Sequence, residues 1–457
     1  MIKRIIHHFQ RERDLTAGSI SKAIWILAIP MIISNVFQSA FNLVDMAFVG
    51  RLGPVALAAV AMSGQIIMIL MFLMIGIGAG TTALISRAIG EKNKDKANNV
   101  AMQSIILVFI GSIIFGVAGF LLSPWMLKIL GASAEVIQVG TGYLQITFGG
   151  IIVLVYMFSI ASILHGAGDA TTPMLILGLS TILNIVLDPL LIFGIGIFPR
   201  LGVNGAAWAT VFSRGIGAVI ALEVLLRGRS RVHVRIKDLK VHLDTMWRIL
   251  KIGIPASAQM TLRGLVGIAL IAVVAGFGTT AIAAYGVGIS LFMVAMMPGF
   301  AMGMAAQTLV GQNLGARQPE RASRSAWTTV AYYSIFMMTV AFVFVALAPN
   351  LIMIFNEDPE VIRMGTSFLQ ITAWGYVFIA FSLIFNRSLS GAGDTMSPLI
   401  FTFIALWLVQ IPLAIFLSRI PRFGVEGIWF AVLAAYVVQA IITTAWFQTG
   451  RWKLKKV

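Results

Sequence analysis

The chain contains no cysteine and very little charge. Without cysteine there is no disulfide, thiolate metal site or cysteine nucleophile, and the redox compartment stays open. Only 11% of the 457 residues are charged and 59% are hydrophobic, a composition far from that of soluble domains. The composition therefore excludes a water-soluble enzyme and predicts a membrane protein.

Long apolar stretches fill most of the chain between residues 22 and 447. A bilayer core about 30 Å thick requires a helix of about 20 apolar residues, and twelve stretches meet that requirement. The stretches are continuous and rich in Leu, Ile, Met and Ala, whereas the strands of a transmembrane barrel alternate between apolar and polar residues. We therefore expect an all-α polytopic membrane protein with twelve transmembrane helices.

Acidic residues are scarce, with 17 Asp and Glu against 33 Lys and Arg and a net charge of +16. If both termini and the even-numbered loops face the cytoplasm, 25 basic residues, Arg387 among them, lie on that side and six on the other. This positive-inside pattern predicts a multi-pass protein of the plasma (inner) membrane with both termini cytoplasmic and membrane lipids around it. No soluble stretch is long enough for a basic nucleic-acid-binding domain, so we expect no nucleic-acid partner.

The two halves of the sequence match each other at an offset of 225 residues. Pro30 falls on Pro255 and Gln145 on Gln370, while the GAGD motif at 166–169 recurs at 391–394. Each copy holds six spans, so both insert with the same orientation and form two six-helix bundles related by a pseudo-twofold axis along the membrane normal. Parallel repeats are typical of transporters; a duplicated structural or enzymatic membrane protein is the alternative.

The repeat and the charge pattern together divide the chain into five predicted segments. These are a basic cytoplasmic N-terminal segment at 1–21, a first lobe at 22–226, a cytoplasmic linker at 227–246, a second lobe at 247–447 and a basic cytoplasmic tail at 448–457. The basic N-terminal segment suits either an interfacial helix or a disordered tail. Asp169 and Asp394, which both copies share, are expected to cap the helices that follow them.

Two acidic residues lie deep inside apolar spans, and both are in the first half. An acid at the centre of a transmembrane helix costs about 2.5 to 3.5 kcal/mol on insertion scales, so it usually faces a cavity. Asp45 aligns with Leu270 in the second copy and Asp188 falls near Leu413, so the shared scaffold requires neither acid. Polar chemistry present in one copy only indicates function.

Polar neighbours extend each acid into a stripe on one helix face. The stripes comprise Asn35, Gln38, Asn42 and Asp45 on the first span, and Thr181, Asn184 and Asp188 on the fifth. Pro30 predicts a kink or hinge in the first span, and Pro189 predicts one in the fifth because it removes a helical hydrogen bond. These oxygens suit a proton or a hard cation such as Na+, and polar contacts that merely hold the two helices together are the alternative.

Burial penalises the charged form of a carboxylate, so Asp45 and Asp188 are candidates to load and release protons, or to share one cation. H+ or Na+ is therefore the expected coupling ion, and no cofactor is expected. The glycine-rich run at 76–80 lies inside a span and predicts close helix packing, not a nucleotide loop. All five histidines are expected at membrane edges or in loops, which leaves no intramembrane metal site beyond an Na+ site.

In the second half, three residues are candidates for a substrate cleft. Met293 belongs to a group of methionines on the eighth span that is suited to varied apolar ligands, with plain packing as the alternative. Arg263, one turn after Gln259, is an intramembrane cation that contacts either an anionic ligand or a helix end.

Four motifs resemble those of the multidrug and toxic compound extrusion (MATE) transporters. They are IPMIISNVFQSAFNLVDMAFVGRLG at 29–53, GAGDATTP at 166–173, NIVLDPLLIFG at 184–194 and GVNGAAWAT at 202–210. The resemblance implies two lobes around a central cleft, and export of small cationic or amphipathic compounds in exchange for H+ or Na+. It also implies a first-lobe cation site at Asp45, Asn184, Asp188 and Thr210, with Tyr143 as a neighbour. The seventh span carries no acid, so we expect no second-lobe Na+ site.

The leading hypothesis is thus a secondary active multidrug antiporter that functions as a monomer and is not an enzyme. A flippase for lipids or lipid-linked precursors is an alternative, although its cargo would favour more basic residues in the cavity. A more remote alternative is an intramembrane enzyme that uses Asp45 and Asp188 as a catalytic dyad.

Overall fold

In the computed structural model, residues 14–228, 230–235 and 240–455 are described. The predicted interfacial helix or tail falls mainly on residues 1–13, which lie outside this range. The described residues form helices joined by short connections. The helices are α1 (Ile20–Gly50), α2 (Pro54–Gly90), α3 (Lys94–Ile129), α4 (Ala134–Gly149), α5 (Ile151–Ala167), α6 (Thr171–Phe193), α7 (Val203–Leu226), α8 (Leu243–Ala275), α9 (Thr279–Gly315), α10 (Pro319–Met353), α11 (Pro359–Ala373), α12 (Tyr376–Gly391), α13 (Met396–Thr402), a π-helix (Phe403–Gln410), α14 (Ile411–Ser418), α15 (Glu426–Gln448) and a final 3-10 turn (Arg451–Leu454).

The predicted twelve-span, all-helical fold is confirmed for the described residues. Ten helices, counting Met396–Ser418 as one, are long and apolar enough to cross a membrane. Two bent pairs, α4 with α5 at 50° and α11 with α12 at 57°, bring the total to twelve when each pair is one span. Gly150 and Gly375 lie at these breaks, 225 residues apart. The bend is therefore a property of both copies.

Backbone conformation repeats at the same offset as the sequence. Left-handed φ angles occur in pairs: 57° at Lys92 and 58° at Arg317, and 87° at Gly168 and 86° at Gly393. Such angles are uncommon for residues that carry a Cβ, so their recurrence at Lys92 and Arg317 is independent support for the duplication. As expected for capping residues, Asp169 and Asp394 bind backbone amides in the first turns of the helices that follow them: Asp169 accepts from the Thr172 amide at 3.0 Å, and Asp394 accepts from the Ser397 amide at 3.4 Å.

The chain divides into two compact units whose boundaries fall inside helices. The first unit contains residues 29–253, and the second contains residues 15–28 together with the chain from residue 254 onward. The boundaries inside α1 and α8 lie just before Pro30 and Pro255, the two prolines that the repeat aligns. Proline removes a helical hydrogen bond, which makes each position a natural point for a helix to change neighbours.

Each unit carries large apolar side chains on its outside. Leu121 is 69% exposed in the first unit and Phe342 is 75% exposed in the second. In water such surfaces would be unstable, whereas lipid tails solvate them. Buried polar side chains, by contrast, pair between helices within a unit, as Thr81 of α2 does with Ser104 of α3 at 2.8 Å.

Two features of the described helices bear on the sequence predictions. The glycine-rich run lies inside α2, where a side chain at Gly78 would meet Ser162 Oγ at 2.6 Å, so the prediction of close packing is confirmed. The placement of Arg387 in a loop is wrong, whereas its position on the cytoplasmic side stays a prediction. Arg387 lies inside α12, and its aliphatic stem packs against Gly303 of α9. A long side chain can bury its stem in this way while its charge stays near a helix end.

Candidate functional site

The polar stripe of α1 faces the interior of the first unit. Asp45 is 7% exposed, and its Oδ1 has no hydrogen-bond partner. In the two turns before Asp45, Gln38 donates from Nε2 to Asn42 Oδ1 at 3.0 Å. An unpaired carboxylate oxygen that has been removed from water is costly, so such a group is retained where a proton or a cation binds it.

The stripe of α6 is more deeply buried than that of α1. Asn184 and Asp188 are fully buried, and Asn184 Nδ2 donates to Asp188 Oδ1 at 3.0 Å. Asn184 Oδ1 and Asp188 Oδ2 have no hydrogen-bond partner. Thr181 does not join this pair, because its hydroxyl donates to the carbonyl of Leu177 at 2.9 Å. Two oxygen atoms of the α6 stripe are thus available to a ligand.

The structure places the polar stripes of α1 and α6 close to each other. Asp45 and Asp188 interact electrostatically, and Tyr143 of α4 lies in the field of both carboxylates. Tyr143 belongs to a tightly packed apolar cluster that includes Val49 of α1 and Val203 of α7. The packing of α1, α4, α6 and α7 therefore positions the acids, and the ring of Tyr143 is part of the wall.

A cavity of about 670 Å³ opens beside Asp45 within the first unit. Its polar lining includes Gln38, Asn42, Asp45, Tyr143 and Thr210, so five of the predicted site residues meet at one surface. Asn184 and Asp188 are not part of the lining. The rest of the wall is largely apolar, with methionine and phenylalanine side chains from α1, α2 and α5: Phe41, Met46, Met68, Met71, Met157 and Phe158. The volume lies in the usual range for small-molecule sites.

Arg214 of α7 also lines the cavity and was not among the predicted site residues. Its Nη2 donates to Gln38 Oε1 at 2.8 Å, across 176 residues of sequence. Arg214 lies four residues after Thr210 and therefore on the same helix face. That spacing is the only feature of the sequence that could have placed Arg214 near the predicted site. Without a known partner, an intramembrane arginine in a sequence does not reveal which cavity it faces.

One histidine prediction is partly wrong. His165 lies near the end of α5, as expected for a membrane edge, but it is buried at 8% exposure and lines the same cavity. Among the described residues, no three His, Asp or Glu side chains gather into a metal-binding group. The oxygens around Asp45 and Asp188 instead suit one proton or one monovalent hard cation.

The second unit has no matching acid pair among its described residues. Leu270, the counterpart of Asp45, is buried at 3% exposure. Gln259 donates to Thr402 Oγ1 at 2.9 Å and so holds α8 to α13, while Met293 is 51% exposed. The positive charges of Arg263 and Arg387 repel each other electrostatically. No described acid forms an ion pair with either residue. A substrate cleft formed by Gln259, Arg263 and Met293 stays a prediction.

A twelve-span duplicated bundle with a buried polar site and an adjoining cavity is the architecture typical of a polytopic membrane transporter. The MatE family profile matches residues 30–190 and again residues 255–416. The chain therefore belongs to the MatE family of transporters. The two matched ranges also coincide with the two copies of the internal repeat.

Relatives match along nearly the whole chain. The chain is 30% identical to "Probable multidrug resistance protein YoeA" of Bacillus subtilis, with 96% of each chain covered. It is 30% identical to "Probable multidrug resistance protein NorM" of Thermotoga maritima, covering 96% of this chain and 94% of that one. Among solved structures, a MATE transporter in the bent conformation matches with a TM-score of 0.90 and 26% identity, covering 96% of this chain and 97% of that one.

Proposed function

We propose that this transporter is a secondary active multidrug exporter that moves cationic or amphipathic compounds out of the cell in exchange for H+ or Na+. Coupling runs through Asp45 and Asp188. The observation that carries this proposal is the pair of buried, electrostatically interacting carboxylates, each with an unpartnered oxygen, beside a cavity of drug size. Names of relatives in Bacillus subtilis and Thermotoga maritima support the choice of multidrug compounds.

The ion and the substrate meet at Asp45, because this carboxylate belongs both to the acid pair and to the cavity wall. A proton or Na+ bound there neutralises one charge and pulls the oxygens of α1 and α6 together. Asn184 Oδ1 and the Thr210 hydroxyl complete the proposed ligand set. A cationic substrate competes for the same carboxylate, so ion and substrate bind in alternation, as antiport requires.

The driving force is large enough for such a mechanism. One charge crossing a potential of 100 mV releases about 2.3 kcal/mol, and an ion gradient adds to this. A shift of that size changes a two-state equilibrium about fiftyfold, since every 1.4 kcal/mol is a factor of ten. The energy released by one ion is thus sufficient to drive one bend of α1 near Pro30 or of α6 near Pro189.

We also propose that the termini and the linker at 227–246 face the cytoplasm, where the predicted topology concentrates Lys and Arg. In this proposal the protein works as a monomer in the inner membrane, with the first lobe at 22–226 as the coupling lobe. Protease or thiol-labelling access to tags at each terminus in oriented vesicles tests this arrangement.

Gradient-driven efflux tests the coupling proposal. Purified protein is reconstituted into proteoliposomes loaded with ethidium, and efflux is recorded under an imposed pH gradient or an imposed Na+ gradient. One of the two gradients is expected to drive efflux by the parent protein, and Asp45→Asn and Asp188→Asn are expected to abolish it. The matched control is Asp244→Asn, which changes a surface aspartate whose side chain is 76% exposed. Undiminished gradient-driven efflux by Asp45→Asn and Asp188→Asn contradicts the proposal.

A further inference from the structure

The guanidinium of Arg214 lies in the wall of the cavity and contacts three side chains. Its Nη2 donates to Gln38 Oε1 at 2.8 Å, and its Cζ lies 4.3 Å from the centre of the Phe41 ring. Nη1 lies 3.9 Å from the sulfur of Met157, a weak acceptor. Because an arginine carries five N–H donors, these contacts leave most of its donors without a strong acceptor. Nε in particular is buried and has no partner.

No described acid compensates this charge. Arg214 is 8% exposed, yet all six ion pairs in the described chain involve other residues. Asp45 lines the same cavity without pairing with it. A buried cation with no anionic partner is costly, and Gln38 and Phe41 only partly offset that cost. A cavity wall of this kind is preorganised to bind an anion.

The cavity thus has charge of both signs on its wall, with a carboxylate at Asp45 and a guanidinium at Arg214, and methionine and phenylalanine side chains elsewhere in its lining. We propose that Arg214 binds an anionic group of the substrate, so that this exporter prefers amphipathic compounds that carry a carboxylate or another oxyanion. The proposal rests on the proposed function in one respect, namely that the cavity is the substrate site. It narrows the substrate class from cationic or amphipathic compounds in general to zwitterionic amphiphiles, whose cationic group competes for Asp45 while their oxyanion binds Arg214.

Geometry favours an oxyanion over a neutral acceptor. A planar guanidinium offers a fork of donors that matches a carboxylate or phosphate, and hydrogen bonds between two charged groups are about twice as strong as neutral ones. The flat apolar body of a substrate then packs against flexible methionines, which adapt to different shapes. Recognition of one charged group and tolerance of varied bodies are together what a multidrug site requires.

Two dyes that differ only in a carboxyl group test the proposal. Rhodamine 110 has a free carboxylate, whereas rhodamine 123 is its methyl ester. Binding to the purified full chain in detergent is measured by fluorescence anisotropy for each dye. We expect Kd for rhodamine 110 to be about tenfold lower than for rhodamine 123, because one charge-assisted hydrogen bond improves affinity by about that factor. In Arg214→Met the ratio is expected to fall to about one.

The control is Arg51→Met, the same change at an exposed arginine 5.8 Å from the Phe48 ring, which should keep the tenfold ratio. Arg214→Lys retains the cation and should keep a smaller preference, so the proposal is still testable if Arg214→Met fails to fold, as judged by gel filtration. Equal Kd values for the two dyes in the parent protein, or binding of neither dye, would overturn the proposal. An unchanged tenfold ratio in folded Arg214→Met would also overturn it.

The outcome is separable from that of the coupling proposal. Asp45→Asn should leave the ratio of the two dye affinities near tenfold, since both dyes share the same amine groups. If gradient-driven efflux survives Asp45→Asn while the dye preference depends on Arg214, the coupling proposal fails alone. If Asp45→Asn abolishes efflux while the two dyes bind the parent equally, only the anion site fails.

Discussion

Asn184 donates a hydrogen bond from Nδ2 to Asp188 Oδ1 at 3.0 Å, across one turn of α6 and fully buried. The amide therefore orients the carboxylate, and both residues keep one oxygen free of protein partners. A spacing of four residues places the two side chains on the same helix face, so the contact is local and does not depend on a neighbouring helix. Asn184 therefore orients the carboxylate of the proposed ion site, in addition to its proposed role as a ligand.

The first prediction concerns Asn184→Ala. Loss of a hydrogen bond to a charged group costs about 1.5 kcal/mol, which corresponds to a factor of about ten. At a fixed, sub-saturating ion gradient, efflux from proteoliposomes is expected to fall about tenfold. The matched control is Asn313→Ala, which removes a fully buried asparagine of the second unit that binds Leu309 O at 2.8 Å. Equal efflux by the parent protein and Asn184→Ala contradicts a role for this contact.

Much of this architecture could be predicted from the sequence because hydrophobicity and rare residues determine it. Spans follow from apolar length, since a membrane helix satisfies its own backbone. The duplication follows from Pro, Gln and Asp residues that recur 225 positions apart in a sequence where they are scarce. Asp45 and Asp188 were identified because the second copy carries leucine at or near the matching positions.

Other features depend on packing between distant segments. The bends between α4 and α5 and between α11 and α12 lie within apolar stretches, where periodicity does not change. The contact of Arg214 with Gln38 joins residues 176 positions apart, and the exact lining of the cavity depends on how six helices meet. Arg387 looked like a loop residue because charge at a span end is ambiguous by composition, and only its packing on Gly303 assigns it to α12.

A close helix contact supports the second prediction. A Cβ at Gly205 of α7 would lie 2.6 Å from the carbonyl carbon of Leu191 in α6, and one at Gly427 would lie 2.6 Å from that of Leu417. Overpacking typically costs about 1 to 3 kcal/mol, so Gly205→Ala and Gly427→Ala should both lower Tm in detergent. Only Gly205→Ala should also reduce gradient-driven efflux, because α6 and α7 carry the proposed site.

The control for this pair is Gly215→Ala, where the nearest atom to a new Cβ is Val153 Cγ1 at 3.9 Å. That distance is an ordinary van der Waals contact, and Tm and efflux should stay at parental values. A parental Tm for Gly205→Ala would show that α6 and α7 are less closely packed than the structure indicates. Equal losses of efflux in Gly205→Ala and Gly427→Ala would argue against a site confined to the first unit.

The third prediction concerns pH and the loop before α13. Burial opposes ionisation of Asp394, but hydrogen bonds from Lys455, Ser397 and Trp446 outweigh it and hold the pKa of Asp394 below its ordinary value. A carboxylate with a lowered pKa stabilises the folded state above its unfolded pKa of about 3.9, and that stabilisation is lost as pH falls through the folded value. The Lys455 side chain is 42% exposed, which limits the pair to about 1 kcal/mol.

Lys455→Gln should therefore lower Tm at pH 7 and reduce the fall in Tm on acidification below pH 4. Tm is measured by tryptophan fluorescence in detergent at pH 7 and at one pH value below 4. Lys94→Gln, a change at an exposed lysine at the start of α3, should leave both values unchanged. A Lys455→Gln protein with the parental difference in Tm between the two pH values would show that Asp394 is ionised without help from Lys455.

The last prediction concerns the connection between the two halves, which is attached to α3. Gln103 is fully buried, donates from Nε2 to Lys240 O at 2.7 Å and accepts from the His242 amide at 3.0 Å on Oε1. Both ends of one amide thus bind the same short segment. Gln103→Ala removes these two hydrogen bonds, together with the one that Nε2 donates to Asn99 Oδ1 at 3.2 Å, and leaves two backbone groups of the segment unpaired.

Each net hydrogen bond contributes about 1 kcal/mol, so local opening of this segment should become at least tenfold more frequent. Limited trypsin digestion of Gln103→Ala should cleave after Lys240 about tenfold faster than in the parent, because a protease requires an extended, detached backbone. Gln145→Ala is the control, since Gln145 makes only a 3.4 Å contact to Phe120 O. Cleavage of Gln103→Ala at the parental rate would mean that contacts other than the Gln103 amide hold the segment against α3.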